Sequence, residues 1–402
     1  MSTHVNIRLL GDERFDRFRR IEWWEQSKLS EAKILVIGAG ALGNEIVKNL
    51  ALLGVGNIFV ADLDVVEESN LSRSILYRER DAGRPKAEVA VAAACEIYPS
   101  LSASHFHGDA IFDLGLGIYR WADLIIAGLD NREARLHVNR CCYKVNRPWV
   151  DAATEVLQGI VRTFVPDGPC YECTMTKADW QALKERRGCA GLRVEGVPAD
   201  RVPTTPITAS IIAALQCQEA LKLIHGLNGL AGKGAVFNGL IDDFYVFPYQ
   251  SNEECNSHEP FGEVVSLNES VRDYTPRKLL ARAQEKLGNG AVLELTHELL
   301  LAFECVRCEK KQPVYQPLAN VSERKAACPD CDEMRRPLST KTIAGDEDFL
   351  DQPFLNLGIP LFEILTARQG MMTMGFEFAG DAQAVLGGLW PANYAQTARR
   401  TS

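Results

Sequence analysis

Three glycines after a short apolar run constrain this chain most. Gly38-x-Gly40-x-x-Gly43 follows Ile34-Leu35-Val36-Ile37 and opens an apolar helical segment over 44–53. A strand that enters a helix through such a turn lets backbone come close to a phosphate, and the helix N-terminus attracts the anion. Asp62 lies 19 residues beyond Gly43, at the end of the next apolar run (57–63), where a carboxylate can accept from ribose hydroxyls. On these residues alone a nicotinamide dehydrogenase fits as well as any other nucleotide enzyme.

The alternation continues. An Ala-rich helix is expected over 85–98, a strand over 123–129 and a helix over 133–145. Strand–helix alternation builds a parallel sheet covered by helices. After about Val161 the pattern favours antiparallel strands (159–166, 235–238, 245–249) around a long helix at 206–223. The expected fold is α/β, a Rossmann-like domain with a mixed sheet over 31–262. A helical arm (1–30, with one helix over 12–28) precedes it. A smaller α+β region with a zinc ribbon (263–402) follows, containing an amphipathic segment at 276–287, a short strand at 291–295, small β-structure over 346–381 and a frayed end from Pro391.

The groups after the glycine turn narrow the chemistry. Arg73 follows Ser69-Asn70-Leu71-Ser72, and Lys86 closes Gly83-Arg84-Pro85-Lys86. Two cations over one sheet edge suit a triphosphate better than a hydride carrier. Asp130 ends the strand that starts at Leu124, in the crevice where open parallel sheets bind ligands. A lone carboxylate there can hold Mg²⁺, which takes few carboxylates alongside phosphate oxygens and water. Taken singly, Arg73 and Lys86 read equally as surface ion pairs and Asp130 as a helix cap.

Together, Gly38–Gly43, Asp62-x-Asp64, Asn70-x-x-Arg73, Pro85-Lys86 and Asp130-Asn131 resemble the adenylation domain of ubiquitin-activating enzymes. The bacterial ThiF/MoeB adenylyltransferases share that signature. Arg14-Phe15-Asp16-Arg17 resembles the arginine element near the family's start, and Cys170-Tyr171-Glu172-Cys173 its first zinc pair. The resemblance covers about residues 12–258. It implies that Gly38, Gly40, Gly43 and Asp62 hold ATP, that Asp64 and Asn70 shape its pocket, and that Arg73 and Lys86 bind phosphates. It further implies that Asp130 binds Mg²⁺ and that Arg17 reaches the neighbouring subunit of a homodimer. The implied reaction adenylates the C-terminal carboxylate of a ubiquitin-like protein ending in Gly. The family usually has Gln after the Asn-x-x-Arg arginine; here it is Ser74.

Cys189 sits among Lys184, Arg186, Arg187 and Arg193, which favour a thiolate. By the resemblance it would take the acyl group as a thioester; an idle loop cysteine is the alternative. Cys305-x-x-Cys308 and Cys328-x-x-Cys331 fit a four-cysteine structural zinc site. Cys170 and Cys173 are expected to pair with Cys255 and His258, where the family usually has a second Cys-x-x-Cys; a surface His258 with a weak or absent site is the alternative. Cys95, Cys141, Cys142 and Cys217 fall in apolar helical stretches and read as core. By position, residues 263–402 could recruit a conjugating enzyme; a dimerisation or stability role is the alternative.

The composition excludes some partners. Net charge is −9, which argues against broad nucleic-acid binding. Polar residues interrupt the longest apolar stretch, 207–224, so no membrane span is expected. No signal-peptide pattern opens the chain, so a cytoplasmic location with reduced cysteines is expected, and there the Cys-x-x-Cys and Cys-x-x-His pairs favour metal over disulfide. Remaining alternatives are a sulfur-carrier adenylyltransferase without an obligatory thioester and a catalytically idle binding subunit.

Overall fold

A computed structural model describes residues 13–186, 190–194 and 203–390. The first unit holds an eight-stranded sheet: β1 Lys33–Ile37, β2 Asn57–Asp62, β3 Ser102–His107, β4 Leu124–Ala127, β5 Trp149–Glu155, β6 Gln158–Phe164, β7 Lys233–Asn238 and β8 Asp243–Pro248. Its order is β3-β2-β1-β4-β5-β6-β7-β8. β3 through β5 run parallel and β6 through β8 are antiparallel. The helices are α1 Gln26–Glu31, α2 Ala41–Leu53, α3 Lys86–Ile97, α4 Leu116–Trp121, α5 Arg132–Lys144, α6 Lys177–Glu185 and α7 Pro206–His225.

Alternation along each strand divides the core. Ile34, Val36, Ile58, Val60 and Ile126 pack with α2, α3 and α7 on one face. Leu35, Ile37, Phe59 and Ile125 pack with α4 and α5 on the other. By length and composition α7 could cross a membrane, but here it lies along the sheet, with buried Gln216 donating to the Ala127 carbonyl at 2.9 Å.

The second unit is a six-stranded sheet. It comprises β9 Val264–Leu267, β10 Val292–Glu304, β11 Lys311–Pro317, β12 Arg336–Ile343, β13 Ile364–Gln369 and β14 Met372–Phe378, with helix α8 Pro276–Leu287 and the short α9 Ala382–Leu386. α8 buries Leu279, Leu280 and Ala283 against this sheet.

The expected helix over 12–28 is not formed. Two 3₁₀ turns, Glu13–Phe15 and Phe18–Arg20, lead to α1. Phe15 is drawn under Gly54 at the end of α2, where a Cβ would lie 2.3 Å from its ring. Phe18, Trp24 and His225 continue an aromatic chain that a straight helix could not follow. The strand expected at 291–295 runs on to Glu304 with shifted registers.

The two units meet in one of these clusters. Phe362, Ile364, Ala382, Leu386 and Leu389 complete the cluster on the α4–α5 face of the first sheet. Phe362 is fully buried at φ +59°, a conformation unfavourable for a bulky residue. Its carbonyl accepts from Gly117 N at 2.9 Å, and a Cβ on Gly117 would sit 2.5 Å from that oxygen. Arg120 pairs with Glu377 at 2.7 Å across the same joint.

Beside this joint, burial lifts the Glu363 carboxyl to about 8 against the amide donors Ile364 and Leu116. A carboxyl raised in the folded state contributes stability that is complete below its unfolded pKa, near 4.5. That contribution is lost as pH rises to about 8. Melting temperatures at pH 5 and pH 8 should therefore fall further for the wild type than for Glu363→Gln. Equal falls would show that Glu363 does not titrate this way.

Candidate functional site

The glycine turn is built by contact as well as conformation. Gly38 adopts φ +92°, and a Cβ there would lie 2.6 Å from Gly128 O. A Cβ on Gly43 would lie 1.9 Å from Gly38 O, so the helix can pack on the turn only without one. At Gly40 a Cβ meets nothing within 4 Å. Gly40 is the N-cap of α2 and offers no capping side chain, so first-turn amides face the crevice. Gly43→Ala should thus lower the melting temperature, whereas Gly40→Ala should keep it and weaken nucleotide binding. Thermal melts with and without ATP distinguish the two.

Asp62 organises this turn. Its carboxylate accepts from Ala39 N at 2.6 Å and Asp64 N at 2.7 Å. Burial lifts its pKa, opposed by those two amides and the charge of Lys86. Lys86, the first residue of α3, sets its ammonium 2.8 Å from Asp64. Asn70 is buried and accepts from Glu67 N at 3.0 Å, so it shapes the loop from inside. Arg73 is half-buried and donates to Ser69 O at 2.8 Å. Ser74 is buried, and its carbonyl accepts from Tyr77 N.

Asp130 lies exposed just beyond β4, beside Asn131, which caps α5 by accepting from Ala134 N at 2.8 Å. Gly38–Gly43, Asp62, Asp64, Lys86 and Asp130 therefore gather at the carboxyl edge of the parallel strands. Arg17 does not. It is exposed on the arm anchored by Phe15 at the far end of α2, about 20 Å from the turn for 13 helical residues. Cys189 lies outside the described residues.

Four side chains at this edge escaped the sequence reading. Asn44 donates to Ala39 O at 2.7 Å and accepts from Leu76 N at 2.9 Å, tying the turn to the loop after Arg73. The Tyr77 hydroxyl donates to Ala39 O at 2.5 Å. Arg135 spans the ends of β4 and β5, donating to Leu129 O, to Ala152 O at 3.1 Å and to Asp151 at 3.1 Å. Gln216 reaches Ala127 O from α7. Asn44 and Gln216 carried a signal, as polar residues inside apolar helical stretches.

Among the described residues, two groups of side chains that could hold a metal ion come together. In the first, Cys170 Sγ is 3.7 Å from Cys173 and 3.5 Å from Cys255, and Cys173 is 3.5 Å from His258 Nε2. In the second, Cys305–Cys331 is 3.5 Å and Cys308–Cys328 is 3.7 Å. A tetrahedral zinc with Zn–S bonds of about 2.3 Å sets sulfurs about 3.8 Å apart, so both donor sets fit. The second is a pair of matched knuckles. Glu309 N donates to Cys305 O and Asp332 N to Cys328 O, with Glu309 and Asp332 both at positive φ. Cys141, Cys142 and Cys217 are buried in helices, and Cys95 is half-buried.

The ThiF family profile matches residues 2–257. The chain belongs to the ThiF family. The match ends ahead of β9, so the second sheet lies beyond it. Among relatives, the SAMP-activating enzyme E1 of Haloferax volcanii is 31% identical over 231 residues, 57% of this chain and 81% of that protein. Adenylyltransferase and sulfurtransferase MOCS3-1 of Zea mays is 33% identical over 217 residues, 54% of this chain but 44% of its own length. E. coli MccB with ATP superposes with a TM-score of 0.51 at 21% identity, covering 63% of this chain and 75% of that one. That likeness shows the ThiF-type fold.

Proposed function

We propose that this chain activates the C-terminal carboxylate of a small ubiquitin-like protein by adenylation with ATP. The carrying observation is the convergence of Gly38–Gly43, Asp62, Lys86 and Asp130 on one sheet edge in a ThiF-family chain. The carboxylate oxygen bonds to the α-phosphorus and the bond to pyrophosphate breaks. The α2 N-terminus and Lys86 stabilise the negative charge, and Arg73 adds a second cation from the loop. Asp130 would hold Mg²⁺, which when bound neutralises charge on the triphosphate. Positioning, rather than covalent help, supplies most of the rate.

In the second step the Cys189 thiolate attacks the acyl carbonyl. A C–S bond forms, the C–O bond to AMP breaks and AMP leaves, the thiol proton having passed to solvent when the thiolate formed. The cationic sequence around Cys189 supports this reading. Arg17, set away from its own glycine turn, suits a homodimer in which it serves the other subunit's phosphates. The two cysteine clusters are read as structural zinc sites, because four protein ligands leave no open position.

ATP–pyrophosphate exchange against a panel of Gly-terminated ubiquitin-like proteins tests the first step. Exchange that depends on one partner supports adenylation, and none with any partner favours an idle subunit. The likeness to the maize adenylyltransferase and sulfurtransferase favours a second reading, adenylation for sulfur transfer without a thioester. Cys189→Ala would then leave product formation intact. Recruitment of a conjugating enzyme by the second unit is best probed at the exposed tip of the β13–β14 hairpin. Met371→Asp changes a side chain that is 95% exposed, and unchanged transfer would argue against a role for that tip.

A further inference from the structure

Residues 190–194 are docked on the four-cysteine ribbon. Leu192 is 3% exposed and packs with Leu300, Phe303, Leu318, Val321 and Ala326. Arg193 N donates to Val321 O at 2.9 Å, and Glu323 N donates to Arg193 O at 3.0 Å, a one-residue parallel bridge. Gly191 sits at φ +77°, where a Cβ would approach Leu318 to 3.1 Å. At the far end Val194 N donates to Arg186 O at 3.1 Å, tying this strap back to the end of α6. Arg193 also faces the first unit. Asp109, held above the ordinary carboxylate range by burial and by Asp113 and Glu133, is drawn partly back by the Arg193 charge.

The Leu192 socket and the ribbon are one construction. Phe303 lies two residues before Cys305, and Ala326 two before Cys328, so both knuckles spring from the socket wall. Arg335 braces the same wall. Its guanidinium lies 4.8 Å from the Phe303 ring, and its Nε donates to Ala326 O at 3.2 Å. A metal that fixes the two knuckles fixes the socket.

We propose that the Cys305/Cys308/Cys328/Cys331 ribbon clamps residues 190–194, and that Leu192 is a positioning residue for acyl transfer rather than for adenylation. The transfer step is the one written above: C–S forms and C–O to AMP breaks, the thiol proton having gone to solvent when the thiolate formed. This role rests on the reading that Cys189 accepts the acyl group. The clamp itself does not.

The test uses the full chain loaded with Zn²⁺, the same chain stripped by a chelator, and the variants Leu192→Asp, Gly191→Ala and Leu192→Met. Hydrogen exchange at the Arg193 and Glu323 amides reads the clamp. Metal removal and Leu192→Asp should each lower protection there about tenfold or more, the scale of losing one buried leucine from a local unit. Gly191→Ala should act the same way without touching the ribbon, and Leu192→Met should restore protection. Unchanged protection after Leu192→Asp or metal removal overturns the clamp. With the substrate found by pyrophosphate exchange, Leu192→Asp should keep exchange within about twofold and slow thioester formation about tenfold, with Leu192→Met rescuing it. Equal loss of both activities, or an unchanged thioester rate, overturns the positioning role. A wild type that exchanges pyrophosphate yet forms no thioester sinks the Cys189 reading, and the exchange at Arg193 and Glu323 still decides the clamp.

Discussion

Asp130→Ala should abolish substrate-dependent pyrophosphate exchange, by at least about 100-fold, the scale on which one preorganised charge-stabilising group acts. Its fold should survive. The side chain is exposed, its hydrogen bond is a 3.3 Å contact from Asn131 Nδ2, and Asn131 rather than Asp130 caps α5. A melting temperature within a degree or two of wild type would therefore make the loss a statement about chemistry. Asp130→Asn sharpens the reading, because it keeps shape and polarity and removes the charge. Exchange retained in both variants would remove Asp130 from the site.

Phe362→Ala should destabilise the whole molecule by about 3–5 kcal/mol, the usual cost of emptying a buried phenylalanine site. That is a large part of the ~5–15 kcal/mol that holds a domain folded. The ring is fully buried among side chains of the first sheet, and its backbone lies against Gly115 and Gly117, which leave no room for a Cβ. The loss should show in both units at once, as a single lowered transition in denaturant, since side chains of both units build that cluster. A variant in which only the C-terminal unit unfolds, with α4 and α5 still protected from exchange, would contradict a shared cluster. The same packing makes truncation at Glu263 a poor probe of the C-terminal unit. It would strip Phe362, Ile364 and Leu386 from the first sheet as well as removing any docking surface.

Much of this was legible in the sequence because each signal was local. The glycine turn, the strand after it and the two Cys-x-x-Cys pairs need only neighbours in sequence to be recognised. Pairing Cys170 and Cys173 with Cys255 and His258 used family resemblance, and the four side chains do lie together. What stayed hidden depended on distant contacts. β3, Ser-Ala-Ser-His-Phe-His, is a half-exposed edge strand with a weak apolar pattern. The arm's turns are dictated by Phe15 fitting under Gly54, some 40 residues away, against the helix its local composition suggests. Arg135 was invisible for a related reason. One arginine in a charged helix says nothing until two strand ends and Asp151 converge on it. The joint at Phe362 lies furthest from any local signal, because a positive φ at a phenylalanine has no signature in sequence.

That joint also orders events during synthesis. The last strand of the first sheet, β8, ends at Pro248, yet the apolar face that β1, β2 and β4 share with α4 and α5 is closed only by residues up to Leu389. Roughly 140 further residues must be translated before that face is covered, on the order of ten seconds at ribosomal elongation rates. A nascent chain in this interval carries Leu35, Phe59, Tyr119 and Trp121 beneath an incomplete cover. Chaperone binding, or slow assembly on the ribosome, is therefore written into the topology, and premature termination after β8 should yield an aggregation-prone fragment rather than a smaller enzyme.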